Sequence, residues 1–412
     1  MLPIRNGWLG SNRVHTYFVV LFCVECVAFV WLVAGTHGWI VPLQTPGSTD
    51  FVSFYAAGML AWDGAAASAY DHSVHHAVEQ AATEVGIPYQ FFFYPPVFLL
   101  VVAPLSRLPH LTSFYVFEVV TLTLYCLSVK PLIADQSRAW WVPVLAFPSV
   151  FWTLGIGQNT FLTVALFSSG LRILEHRPFL AGMLLGALCY KPHLGLLIPV
   201  ALLAGRHHRA FLGATSAVYL LVLASVAIFG FAPWQAFLDH ALASSGVFSS
   251  GRIDLGGMLT PFAAKRLLQA PQWLAVTVQV ATGCVATIIV WHIWRRPRSA
   301  GVRNSTLLAA TLLAALSCCF TTCSSPIWPC CRLLSLPDAR LLPRWKVLTV
   351  MLLYATPVVC RPLGAWTHIQ IGPAVAVCLL VWALTCKLDR GQPKSEPSLG
   401  TASAQPERAI AI

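Results

Sequence analysis

"RPFLAGMLLGALCYKPHLGLLIPVALLAGRHHRA", residues 177–210, has basic residues at both ends and one lysine in its middle. The apolar runs on either side of Lys191, 178–190 and 193–205, are each about a dozen residues, where a comfortable helical crossing takes ~20. Basic residues collect on the cytoplasmic side of membrane proteins. The stretch therefore predicts an out-and-back pair of short helices. Arg206, His207, His208 and Arg209 lie inside, and Tyr190, Lys191 and His193 sit at the outer tip.

The rest of the chain has the same character. Of 412 residues, 57% are hydrophobic and 10% charged, where soluble domains carry roughly a quarter charged residues. The net charge of +11 comes from bases clustered between apolar segments, such as Arg295/Arg296/Arg298/Arg303 and Arg340/Arg344/Lys346. Positive-inside bias accounts for such clusters, so no nucleic-acid partner is expected. Most of the 13 cysteines stand singly in apolar segments, as small core hydrophobes do.

Working outward from 177–210, residues 139–154 and 159–174 form a second out-and-back pair with "GIGQN" (155–159) at its tip. Upstream, Arg5 and Arg13 precede the apolar run 17–35, and no Lys or Arg occurs from Thr36 to Tyr94. The N-terminus is expected in the cytoplasm and 36–94 as a first exoplasmic loop. The run is longer than the core of a signal peptide, which favours a retained span. Within the loop, helical spacing predicts short interfacial helices that stop near Gly64 and Gly86. Residues 95–109 hold four prolines and read as re-entrant; 112–131 crosses inward. Downstream, 210–231 and 273–294 cross on either side of a second exoplasmic loop, 232–271. The expectation is an all-α polytopic protein with about 10–12 transmembrane helices. One membrane domain fills 1–387, and 388–412 is a disordered cytoplasmic tail.

Fifteen acids are present, and Asp50, Asp63, Asp71, Glu79 and Glu84 all fall in the first loop. Asp50 leads, followed by Phe51, Phe54 and Tyr55. A carboxylate at an apolar–water boundary is partly desolvated and becomes a stronger base; the plainer alternative is a helix N-cap. Gln158 and Asn159 offer amides to sugar hydroxyls or a phosphate, or Asn159 caps the next helix. Lys191 at membrane depth suits an anion in a cavity. Tyr190, His193, Tyr55 and Tyr94 complete the substrate-binding candidates. Glu25 and Glu118, inside expected spans, are either functional or helix–helix glue. His72, His75 and His76 share one helical face, and a solvated face is favoured over a metal site. No cofactor motif occurs, and the sequence leaves a divalent metal open.

Four stretches together resemble glycosyltransferase family 87: "DFVSFYAAGMLAWDGAAASAYD" (50–71), "YPPVFLLVVAPLSRLP" (94–109), "GQNTFLTVALFSSGL" (157–171) and residues 177–210. The similarity runs from about residue 15 to about 300. It implies a type C fold in the plasma (inner) membrane, with both termini cytoplasmic and the active site exoplasmic. It further implies transfer of a mannose- or arabinofuranose-type sugar from a polyprenyl-phosphate donor to a glycan or glycolipid acceptor. In that resemblance Asp50 matches the catalytic base. Relatives often carry Lys-Pro-Gln where this chain reads Lys191-Pro192-His193. After residue 315 the chain departs from the pattern with "CCFTTCSSPIWPCC" (318–331), which reads as a local frame shift over 316–345. The competing function is a transporter or flippase for a lipid-linked or small polar substrate, built on the same intramembrane charges and broken helices.

Overall fold

The computed structural model describes residues 11–35, 50–133, 141–243, 255–315 and 344–385. The chain opens with α1 (Ser11–Gly35) and resumes at α2 (Asp50–Trp62) and α3 (His72–Ala82), joined by a 3-10 turn, Ala66–Tyr70. A second such turn, Pro96–Phe98, leads into α4 (Leu99–Leu105), and α5 (His110–Ile133) follows. Then come α6 (Trp141–Leu145), α7 (Pro148–Ile156), α8 (Thr160–Ile173) and α9 (Pro178–Gly186), the last continuing through a 3-10 turn, Ala187–Tyr190. Next are α10 (Pro192–Gly195), α11 (Ile198–Ala204), α12 (His208–Phe229), α13 (Ala232–Ala243) and α14 (Pro261–Leu267). The last described helices are α15 (Gln272–Arg295), α16 (Ala300–Ala314), α17 (Arg344–Thr367) and α18 (Gly372–Thr385).

Among the described residues, four helices are long and apolar enough to cross a membrane: His110–Leu132, His208–Phe229, Gln272–Arg295 and Trp345–Thr367. A helix of 24 residues, such as α5, reaches about 36 Å at 1.5 Å per residue, beyond the ~30 Å hydrocarbon core. Shorter apolar helical stretches accompany them, among them Thr160–Ile173, Pro178–Tyr190 and Pro192–Ala204. The outer faces of the long helices carry exposed apolar side chains, including Val120, Leu127, Leu220, Ile228 and Ile288. Such a face suits lipid rather than water. The protein is a multi-pass, all-helical membrane protein. The stretch Pro96–Leu105 is another of these shorter helices, and the Cys-rich stretch 318–331 lies outside the described residues.

Two expectations about the first loop change. Helix α2 is enclosed on almost every side: Phe51, Val52, Phe54, Ala56 and Ala57 are each 1% exposed or less. It packs on α3, α4 and α5 because its sequence is apolar around the whole circumference, so no wet face remains to lie on a membrane surface. The histidine face of α3 also turns inward. His75 is fully buried and His76 partly so, and only His72 is exposed. A shared face follows from the spacing, but which way it points is decided by the apolar neighbours, here Tyr89 and Phe92. Gly64 and Gly86, both with positive φ, stand shortly after α2 and α3, where stops were expected.

The tightest helix contact joins α9 and α12. A methyl group on Gly182 would stand 1.9 Å from the Ala210 carbonyl oxygen, and one on Gly213 would stand 2.1 Å from that of Phe179. Only glycine lets the two backbones approach so closely. This pair delivers the Lys191 tip to its position.

Candidate active site

Three tips converge. Asp50 begins α2; Gln158 and Asn159 form the turn between α7 and α8; Tyr190 and Lys191 form the turn between α9 and α10. The middle turn depends on Gly157, which takes the left-handed φ of +68° and donates its N–H to the Thr153 carbonyl, ending α7. A side chain there would also collide with Phe51, at 2.5 Å from its Cβ. Glycine thus allows both the turn and its seating on the residue next to Asp50.

Gln158 is the hub. Its side-chain oxygen accepts hydrogen bonds from the Tyr94 hydroxyl (3.1 Å) and the Asn159 N–H (3.0 Å). With the oxygen so occupied, its Nε2 is left to donate to Asp50 Oδ2, in short contact across 108 positions of sequence. The Lys191 ammonium lies 5.9 Å from the centre of the Tyr94 ring and is 6% exposed. Tyr190 lies parallel to Phe98 at 5.3 Å and exchanges a 2.7 Å hydrogen bond with Thr163. Burial pushes the Asp50 carboxyl above its ordinary range, against the opposing pull of the Gln158 hydrogen bond and of the Lys191 and Arg361 charges. An enclosed carboxyl oriented by an amide donor, with cations near it, suits proton abstraction beside an anionic group.

Asp50, Tyr94, Gln158, Asn159, Tyr190 and Lys191 therefore meet. His193, one residue past Pro192, is partly buried, and the Lys191 charge acts on it. Tyr55 does not join it: its hydroxyl donates to the Leu108 carbonyl at 2.9 Å and its ring meets His110. Five residues along a helix turn it by about 140°, which aims Tyr55 away from the Asp50 side. Asn159 is fully buried but makes no cap hydrogen bond, and both of its amide atoms lack a partner among the described residues. Glu118, on α5, is 3% exposed, and among the described residues neither of its oxygens has a hydrogen-bond partner. Among the described residues no three His, Cys, Asp or Glu side chains are grouped to hold a metal ion.

The sequence reading missed Arg361, whose charge acts on Asp50 from α17. It was discoverable as a lone arginine in "ATPVVCRPLGAW" (355–366), a cation in an apolar run.

Compared with known proteins, residues 92–321 match the family model of glycosyltransferase family 87, which covers more than half the chain. The matched stretch holds Tyr94, the Gln158 tip and the Lys191 tip and begins after α2, later than the resemblance read from the motifs. It ends at Thr321, inside the Cys-rich departure. No curated protein matches, and no solved structure matches.

Proposed function

Because the chain belongs to glycosyltransferase family 87 and is a membrane glycosyltransferase, we propose that it transfers a mannose- or arabinofuranose-type sugar from a polyprenyl-phosphate donor to an exoplasmic glycan or glycolipid. The observation that carries this reading is the chain Tyr94–Gln158–Asp50 with Lys191 against the same tyrosine ring. Asp50 takes the proton of an acceptor hydroxyl as that oxygen attacks the anomeric carbon. The bond from that carbon to the phosphate oxygen breaks, and the polyprenyl phosphate leaves with the electron pair. Displacement in one step inverts the anomeric centre. Gln158 holds the carboxylate in its attacking orientation, and Lys191 offers a point charge and three donors to the departing phosphate.

The test is sugar transfer by purified protein in detergent. Polyprenyl-phosphate mannose and its arabinofuranose counterpart are supplied in turn, beside Asp50→Asn. Transfer from one donor that vanishes in the variant supports the reading; transport in liposomes without transfer from either donor overturns it. The side of the membrane is tested separately, in a cysteine-light background. An impermeant thiol reagent applied outside is expected to label Val85→Cys, at a position 85% exposed, and to spare Ala300→Cys. The reverse pattern places the acid-bearing loop in the cytoplasm.

A further inference from the structure

Behind α2 lies a pair of ionisable side chains that the proposed chemistry does not use. His75 and Glu79, both fully buried, stand one turn apart on α3, with His75 Nδ1 3.6 Å from Glu79 Oε1. Each of them also reaches a different wall of the site. His75 Nε2 lies 3.1 Å from the Ser53 carbonyl oxygen, one turn beyond Asp50 on α2. Glu79 Oε2 accepts the Gln90 N–H at 3.2 Å, on the segment that runs directly into Tyr94. The same segment is fastened at both ends. His76 Nε2 lies 2.9 Å from the Ile87 carbonyl oxygen, and the Tyr70 hydroxyl donates to the Tyr94 carbonyl at 2.9 Å. α3 is thus a brace between the helix that carries the acid and the strand of chain that carries the tyrosine.

We propose that His75 and Glu79 are positioning residues for Asp50 and Tyr94, acting as one buried, uncharged unit. This rests on the reading of Asp50 as the base. The protonation state follows from the contacts. A carbonyl oxygen only accepts, so Nε2 must carry hydrogen toward Ser53. In a neutral imidazole that leaves a bare lone pair on Nδ1, facing Glu79. At 3.6 Å the two atoms stand beyond a hydrogen bond, and a carboxylate there would set a full charge against that lone pair, which a protonated carboxyl avoids. The alternative, an imidazolium beside a carboxylate, needs two charges in a fully enclosed place, which desolvation opposes. Burial acts in the same sense on both groups, raising Glu79 to about 8 and lowering His75 to about 4. The other ionisable groups around the pair are His72 and His76 on α3, Asp71 at its start, Tyr89, and His240 of α13.

When Glu79 loses its proton, above about pH 8, a charge appears between the two walls and the brace loosens. Steady-state transfer from polyprenyl-phosphate mannose, or from the arabinofuranose donor if that is the active one, is measured across pH 6–9.5. The proteins compared are wild type, Glu79→Gln, Glu79→Ala, His75→Phe and Asp50→Asn, each normalised to folded protein. Glutamine mimics the protonated acid, so Glu79→Gln should keep kcat within about two-fold at pH 7, the conservative change expected to preserve the contact. It should also retain activity at alkaline pH, where wild type declines. Glu79→Ala and His75→Phe should lower kcat by about 10- to 100-fold with donor KM nearly unchanged, as small misplacements of catalytic groups do. Unchanged kcat in Glu79→Ala, or an alkaline decline in Glu79→Gln identical to wild type, overturns the proposal. If the two disruptive variants do not fold, the alkaline limb of Glu79→Gln decides alone. Asp50→Asn separates the two levels: its full activity overturns both readings, and its inactivity beside normal brace variants overturns this one only.

Discussion

Helix α8 has a polar cluster at each end, and the two differ in nearly every physical respect. At its start, Gln158 joins Asp50 and Tyr94 in an enclosed place, with Gln158 9% and Lys191 6% exposed. Beyond its end, the Arg303 guanidinium bonds Glu175, lies 5.4 Å from the Trp294 ring centre and stands 3.4 Å from His207. There the side chain of Glu175 is 48% exposed. Both clusters tie parts of the chain more than a hundred residues apart. Water screens the second and is shut out of the first, so similar contacts carry different weights. The enclosed cluster is where a single change should matter for chemistry; the open one is a clasp with little consequence.

Four substitutions sharpen or break that contrast. Asp50→Asn keeps the shape and the hydrogen-bonding partner but removes the proposed base, and should lower kcat by about 10²–10⁴-fold with an unaltered melting temperature. Activity within a few-fold of wild type would reduce the acid to a structural part of the tip. Lys191→Gln should weaken use of the phosphate donor by roughly 10- to 100-fold, the usual worth of a charged hydrogen bond. Donor-dependent kinetics read this out; unchanged constants with a lower melting temperature would make Lys191 structural.

Gly157→Ala should destabilise the protein by about 1–3 kcal/mol, from the left-handed backbone and the collision with Phe51 together. Because Phe51 adjoins Asp50, kcat should fall as well, and a stability loss with normal kcat would uncouple the turn from the acid. Glu175→Ala stands last. An ion pair this exposed is worth about 0.2–1 kcal/mol, so a small, salt-dependent drop in melting temperature is expected, with kcat untouched. A kcat loss there comparable to that of Lys191→Gln would mean that the two ends of α8 are coupled.

Much of the site was legible because polar residues are conspicuous in an apolar chain. Asp50, Gln158 and Lys191 each interrupt hydrophobic surroundings, and burying such groups is costly enough that their presence asks for a reason. The short helices on either side of Lys191 were legible from the spacing of prolines and bases. What was not legible depends on rotation and on distant packing. The spacing of His72, His75 and His76 defines a face, but the neighbours packed on it, Tyr89 and Phe92 among them, decide that this face is inside. Tyr55 was grouped with Asp50 by proximity in sequence, although helical rotation separates them. Asn159 precedes a helix, as a cap does, yet its side chain makes no cap bond. Arg361 stands out as a lone cation in an apolar run, but that its charge acts on Asp50 from α17 is something no local pattern carries.

The glycine contact between α9 and α12 has a consequence for how the lysine tip is built. In lipid no hydrophobic force drives helices together, since tails and leucines are equally apolar; close backbone fit must supply the attraction. Gly182, Gly186 and Gly213 provide it between α9 and α12, so this part can lock as soon as α12 has entered the membrane. Lys191 is then held in place mechanically, by a seam of touching backbones. A bulkier residue at any of these three glycines would leave every polar group of the site intact and still set the cation adrift.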